Sequence, residues 1–188
     1  MENNERDIAL MEKVKTGDES AFEELVARHY KSIYNLAYRF LYSSAEAEDI
    51  TQEVFLRVFR ASKTFSPKAK ISTWLFTITK NLCFNELRKK KAVNILSIED
   101  EVLPELPSMD NSPVTKMEEK EVRQRVLDAV RALPANLRIA VLLLKYHDLS
   151  YEEVASILGC SVNAVKLRVH RAKHFLAKSI GKLSKETK

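Results

Sequence analysis

The segment Ser150–Lys178, SYEEVASILGCSVNAVKLRVHRAKHFLAK, holds the side chains best placed for chemistry with a polyanion. No acidic residue occurs between Val154 and Lys185. At 100° per residue, Asn163, Leu167, His170, Arg171 and His174 fall on one side of a helix, flanked by Lys166 and Arg168. Val162, Val165, Val169, Ala172 and Leu176 recur at three- and four-residue steps on the other side and form a stripe for burial. A helix that repels nothing anionic and points polar groups outward suits a major groove. The competing reading is a surface helix with a solvated charged face. The turn chemistry ahead of the helix argues against it.

That chemistry begins at Ser150 and Glu153, an S-x-x-E capping box. Val154, Ile157 and Leu158 give the short helix after it an apolar face. Gly159 stands where a helix ends in a left-handed residue, and Ser161 can cap the next helix. Small Ala155 lies where two such helices cross closely. The unit reads as a helix-turn-helix.

A second segment, Phe65–Lys91, FSPKAKISTWLFTITKNLCFNELRKKK, interleaves aromatics with dense positive charge. Basic groups neutralise phosphates and release counterions, which gives affinity without sequence information. Aromatic faces stack on unpaired bases for about 1–3 kcal/mol each. A loop ahead of the helix could hold a base turned out of the duplex. Trp74, Phe76 and Phe84 suit a protein core equally well, so both roles stay open for them.

The chain has 188 residues, 45% of them hydrophobic, enough for one ordinary domain or two small ones. The three glycines, Gly17, Gly159 and Gly181, fall at expected helix ends, and no segment shows several turns of alternating apolar and polar residues bounded by turn signals. An all-α fold follows. The longest apolar run, Ile139–Leu144, is too short to span a bilayer, and MENNERDIAL at the start is polar, so neither a membrane helix nor a signal peptide is expected. Cys83 and Cys160 lack the companions of a zinc site and are expected as free, buried or half-buried thiols. Neither P-loop, metal-ligand cluster nor positioned nucleophile occurs, so no cofactor, metal or catalytic role is expected.

Charge is segmented. Residues 1–62 carry −4 (8 basic, 12 acidic), 63–92 carry +7 (8 and 1), 93–120 carry −5 (2 and 7) and 121–188 carry +7 (13 and 6). Two basic blocks flanking an acidic connector suggest two nucleic-acid contacts on one chain. Helices are expected at Asp7–Lys15, after an Asp18 cap, from Ser43 with its S-x-x-E signature to about Ala61, and over Ser72–Lys90. In the third of these, Ile50, Val54 and Val58 face inward. Thr115 and Glu118 repeat the capping signature ahead of a Val122, Val126, Val130, Leu133 stripe, and Pro134 opens an apolar helix to Tyr146. The expected organisation is a helical domain over 1–92, an acidic Pro-containing linker over 93–114, and a four-helix domain over 115–188 that ends in the helix-turn-helix.

AEDITQEVFLRVF, STWLFTITKNLCFNELRKKK and SYEEVASILGCSVNAVKLRVHRAK, in that order and spacing, resemble the extracytoplasmic-function (ECF) group of bacterial RNA polymerase sigma factors. The resemblance spans roughly residues 7–92 and 115–178. It implies a cytoplasmic factor that seats on core RNA polymerase, recognises the −35 and −10 promoter elements and helps melt the DNA, with no chemistry of its own. Asp49, Gln52 and Phe55 match the family's D-x-x-Q-x-x-F positions for docking on the polymerase clamp. Asp49, Gln52, Glu53 and Leu56 share one side of that helix as a docking strip. Phe65 to Ser72, with Lys68 and Lys70, match the loop that captures an extruded base, and Trp74, Asn81 and Arg88 match the following helix. Lys166, Leu167, His170 and Arg171 match the groove-facing positions, with Asn163 and Arg168 beside them. The resemblance also implies promoter DNA, duplex and single-stranded, and an anti-sigma factor as partners. Asn85 stands where Asp is usual, Ile71 where an aromatic is common, Leu167 in place of a frequent Ser, and Asn163-Ala164 in place of Gly-Thr. The alternative is a helix-turn-helix regulator that binds duplex operator as a dimer without polymerase.

Overall fold

The computed structural model describes residues 2–66, 70–94, 124, 126–147 and 149–186. Lys68, most of the linker, the Thr115 to Glu118 signature and Val122 lie outside them. Every regular element among the described residues is helical: α1 (Glu2–Lys15), α2 (Glu19–Leu41), α3 (Ser44–Ala61), a 3-10 turn (Ser62–Thr64), α4 (Ile71–Asn94), α5 (126–131), α6 (Ala135–Tyr146), α7 (Tyr151–Leu158) and α8 (Val162–Glu186). The all-α expectation holds.

Short-range polar residues start the helices. The Asp18 carboxylate accepts from the Ser20 hydroxyl at 2.7 Å and from the Ala21 N–H at 3.0 Å, and these bonds, the first above all, hold its pKa below the usual range. Ser43 Oγ caps α3 by accepting from the Glu46 N–H. The reciprocal half of that box is diverted: Glu46 Oε1 pairs instead with Lys90 Nζ at 2.7 Å and fastens α3 to the far half of α4. α2 closes at Tyr42, whose φ of 61° is left-handed, with its N–H donating to Tyr38 O at 2.7 Å.

α1 to α4 pack around Met11, Leu25, Leu36, Phe40, Val54, Val58, Ile71 and Leu75, all at most 4% exposed. Burial of each large side chain stabilises the fold by about 1.5–3 kcal/mol. Ile50, Val54 and Val58 face inward as their spacing requires. The same apolar cluster runs on into α6, α7 and α8 through Ile139, Leu143, Val154, Ile157 and Val165. A smaller cluster of Val130, Leu133 and Ala172 joins α5 to α6 and α8.

Three local expectations are corrected. α1 begins at Glu2 rather than Asp7, because polar contacts to α2, not an apolar stripe, hold its first turns. Asp7 accepts from Arg28 Nε at 2.8 Å and lies 2.9 Å from His29 Nε2, while Arg6 Nε bonds Glu24 at 2.8 Å. Gly181 lies inside α8 rather than at its end. Val126 is 37% exposed and leaves the seam to Val130 and Leu133.

Candidate nucleic-acid interface

The helix-turn-helix is set by bonds its sequence specifies. The Ser150 hydroxyl accepts from the Glu153 N–H at 3.1 Å, and Glu153 Oε2 accepts from the Ser150 N–H at 2.9 Å. Gly159 ends α7 at φ 63°, where a Cβ is disfavoured, and the Cys160 N–H returns to Ala155 O at 3.1 Å. The Ser161 hydroxyl accepts from the Ala164 N–H at 3.2 Å and opens α8. Ala155 is buried at the crossing, as are Val165, Val169 and Ala172 on α8.

With that face buried, Asn163, Lys166, Leu167, His170, Arg171 and His174 all stand exposed on α8. Leu167, at 49% exposure, is an apolar point in a polar surface. A thymine methyl is a chemically suitable partner for it. Arg168 is half-buried and close enough to raise the cost of charge on Lys80 of α4, whose pKa is lowered first by burial and then by that guanidinium.

On α4, Trp74, Asn81, Asn85 and Arg88 fall within about 60° of arc at 100° per residue. Asn81, Asn85 and Arg88 are exposed and Trp74 is half-buried, its ring 5.6 Å from that of Phe65. The half-buried Phe65 and Ser72 frame this end of the helix. Of the open aromatic assignments, Phe76 goes to the core, its ring 4.7 Å from His147, and Phe84 packs on Phe40 at 5.2 Å. Ile71 is fully buried and its N–H donates to Asn4 Oδ1 at 3.1 Å, so it anchors the helix start. Lys70, one residue ahead of α4, is exposed and pairs with Glu153 of α7 at 2.7 Å.

On α3, Asp49, Gln52 and Leu56 are exposed, while Glu53 is half-buried and held by Arg57 Nε at 2.7 Å. Phe55 is 6% exposed, edge-on to Phe22 at 6.5 Å, so its ring supports the strip from below. The structure adds Phe59, 50% exposed and 5.2 Å from Phe22. Its position three residues after outward Leu56 was the available signal, masked by Phe55 and Val58 beside it. Burial pushes the Cys83 thiol pKa far up and leaves it inert. Among the described residues no group of three His, Cys, Asp or Glu could hold a metal, and no helix is long and apolar enough to cross a membrane.

Two protein-family models match the chain, Sigma-70 region 2 over residues 25–93 and Sigma-70, region 4 over residues 123–176. The ECF RNA polymerase sigma factor SigE of Mycolicibacterium smegmatis is 35% identical over 92% of this chain and 67% of its own length. The RNA polymerase sigma-H factor of Pseudomonas aeruginosa is 31% identical over 99% of this chain and 100% of its own length. The sigma factor RpoE of Bartonella quintana, solved in complex with the anti-sigma factor NepR, shares the fold at a TM-score of 0.70 and 24% identity, covering 85% of this chain and 96% of that one. With both sigma-70 regions in order and ECF sigma factors 33–35% identical over two thirds or more of their own length, the chain belongs to the ECF RNA polymerase sigma factors of the sigma-70 family.

Proposed function

We propose that this sigma factor reads the −35 element as duplex with α8 and holds the melted −10 strand on the exposed face of α4. The observation that carries the division is that the fold buries one side of each helix and leaves two separate polar faces bare: Asn163, Leu167, His170 and Arg171 on α8, and Asn81, Asn85 and Arg88 on α4. Lys166 and Arg168 flank the first face as phosphate contacts. Phe65, Lys68, Lys70, Ser72 and Trp74 serve the second, where stacking and charge neutralisation favour single strand over duplex. Strand capture lowers the free energy of the open complex, so melting needs no nucleotide hydrolysis.

Asp49, Gln52, Glu53, Leu56 and Phe59 on α3, backed by Phe55, form the surface for the polymerase clamp. The exposed apolar pair Leu56 and Phe59 beside acidic Asp49 supports this assignment. The working division is a clamp-binding and melting module over 1–92, a tether over 93–114 and a duplex-reading module over 115–188. The factor acts in the cytoplasm without catalytic chemistry of its own, and an anti-sigma factor, membrane-anchored in one form, is its inhibitory partner. Gel filtration and footprinting with and without core polymerase test the reading. Comigration with core and protection of both elements only in its presence is the expected result. Tight protection of a palindromic operator by the chain alone, with no comigration, would establish the dimeric regulator instead.

A further inference from the structure

We infer that Asn4 of α1 is a positioning residue for strand capture: its side chain caps α4 from another helix and holds Trp74 where a melted strand can stack on it. This rests on the proposed assignment of the α4 face to the −10 strand. Asn4 Oδ1 accepts from the Ile71 N–H at 3.1 Å, across 67 positions of sequence. Ile71 begins α4 and is fully buried, so water does not serve that N–H. The residue ahead of the helix does not serve it either. Lys70 holds the capping place, its carbonyl accepting from the Trp74 N–H at 3.2 Å, but its ammonium carries no acceptor. Asp18, Ser43, Ser150 and Ser161 each cap the helix that follows them with their own side-chain oxygen. α4 takes its oxygen from α1 instead.

The mount for that oxygen is fixed. Asn4, Asp7, Met11 and Val14 fall within about 80° of arc on α1. Met11 is fully buried and Val14 is buried, while Asp7 is tied to Arg28 and His29 of α2. α1 packs on the 3-10 turn as well as on α4, so it borders the segment from Phe65 to Ile71 at both ends. Trp74 stands three residues after Ile71, in the turn that the cap closes, with its ring half-buried and 5.6 Å from that of Phe65. Stacking on a base returns most when the ring is already held in place. If the first turn frays, strand affinity falls by the fraction of time the turn is formed. α1 precedes residues 25–93, which match Sigma-70 region 2, so that match gives it no part in strand binding. The bond to Ile71 does.

Trp74 is the only tryptophan in the chain, so its fluorescence reports on this turn. In the full chain, without polymerase or DNA, Asn4→Ala should raise acrylamide quenching of Trp74 about twofold, with helical circular dichroism unchanged. Asn4→Asp keeps an acceptor oxygen at a helix N-terminus and should restore native quenching. With core polymerase, Asn4→Ala should lower the permanganate-reactive open complex about three- to tenfold on a promoter selected with the native chain, as a lost cap implies. Affinity for core polymerase should stay native, and Asn4→Asp should recover the open complex. Native quenching in Asn4→Ala overturns the inference, and so does native melting despite raised quenching. Equal losses in core binding and melting would show a merely structural role and overturn it too. Should Asn4→Ala lose helicity, Asn4→Leu fills a similar volume without an acceptor; the same two losses are expected, and native behaviour refutes the proposal. Trp74→Ala separates this inference from the reading beneath it. If Trp74→Ala also melts the promoter normally, the assignment of α4 to the strand fails. If it loses melting while Asn4→Ala does not, the positioning role alone fails.

Discussion

Gly159→Ala probes the turn on which the promoter-reading unit depends. Gly159 has φ 63°, and a Cβ built there meets nothing within 4 Å. Steric overlap with neighbours therefore adds no cost. What remains is the left-handed backbone penalty for an L residue, about 1–2 kcal/mol, offset by up to ~1 kcal/mol from the reduced freedom of the unfolded chain. A net loss of about 1 kcal/mol follows, or about 2–4 °C in melting temperature for a protein of this size. The returning bond from the Cys160 N–H to Ala155 O does not involve the new methyl, so the α7 to α8 angle is retained. Differential scanning calorimetry gives the stability change, and fluorescence anisotropy on a −35 duplex gives the affinity, expected within threefold of native. A loss above ~3 kcal/mol would refute the open-space argument. Native stability with abolished duplex binding would refute the view that this residue acts only through backbone geometry.

Arg171→Ala should cost about 1–3 kcal/mol of promoter binding and relax selectivity at one base pair; an equal loss on every sequence would assign Arg171 to phosphate. Asp49→Ala is expected to weaken binding to core polymerase while the melting curve stays unchanged, and native affinity would reject the α3 surface. Lys80→Leu removes a charge that burial and Arg168 disfavour, so it should raise the melting temperature by about 1–3 °C, and a decrease would show that the ammonium is paired. The Glu153 carboxyl is held below its ordinary value first by the Lys70 bond and then by the Ser150 N–H. Its stabilisation is therefore present above about pH 4.5, lost as pH falls through the lower folded value, and worth no more than ~1 kcal/mol at this exposure. Melting between pH 6 and 3 should show the native chain converging on Glu153→Gln, which keeps the capping geometry. Curves that stay parallel would deny the pairing.

What the sequence revealed and what it concealed divide by range. The caps at Asp18, Ser43, Ser150 and Ser161 join residues three apart, and each was readable because the partner lies in the same turn. The α8 stripe was readable because 3.6-residue periodicity separates Val165, Val169 and Ala172 from Leu167 and Arg171. Arg138 was not, since its carbonyl partner on Phe40 is 98 residues away and backbone acceptors leave no mark on side-chain pattern. Glu46 shows the same limit from the other side. Its local box was plausible, but Lys90, 44 positions on, took the carboxylate. Phe59 stayed hidden because Phe55 and Val58 nearby are core residues and composition alone does not tell an exposed ring from a buried one. α1 escaped in part because Arg6 and Asp7 hold it by ion pairs to α2 rather than by an apolar stripe.

The central claim is that this chain gives core polymerase its promoter choice through two separate faces. Run-off transcription from a randomised promoter library, using the full chain and core enzyme, tests it most directly. RNA should start at a defined position downstream of two selected motifs, and substitutions on α8 and α4 should each change the selection at one motif alone. Transcripts with no preferred start, or none at all above core enzyme by itself, would contradict the account.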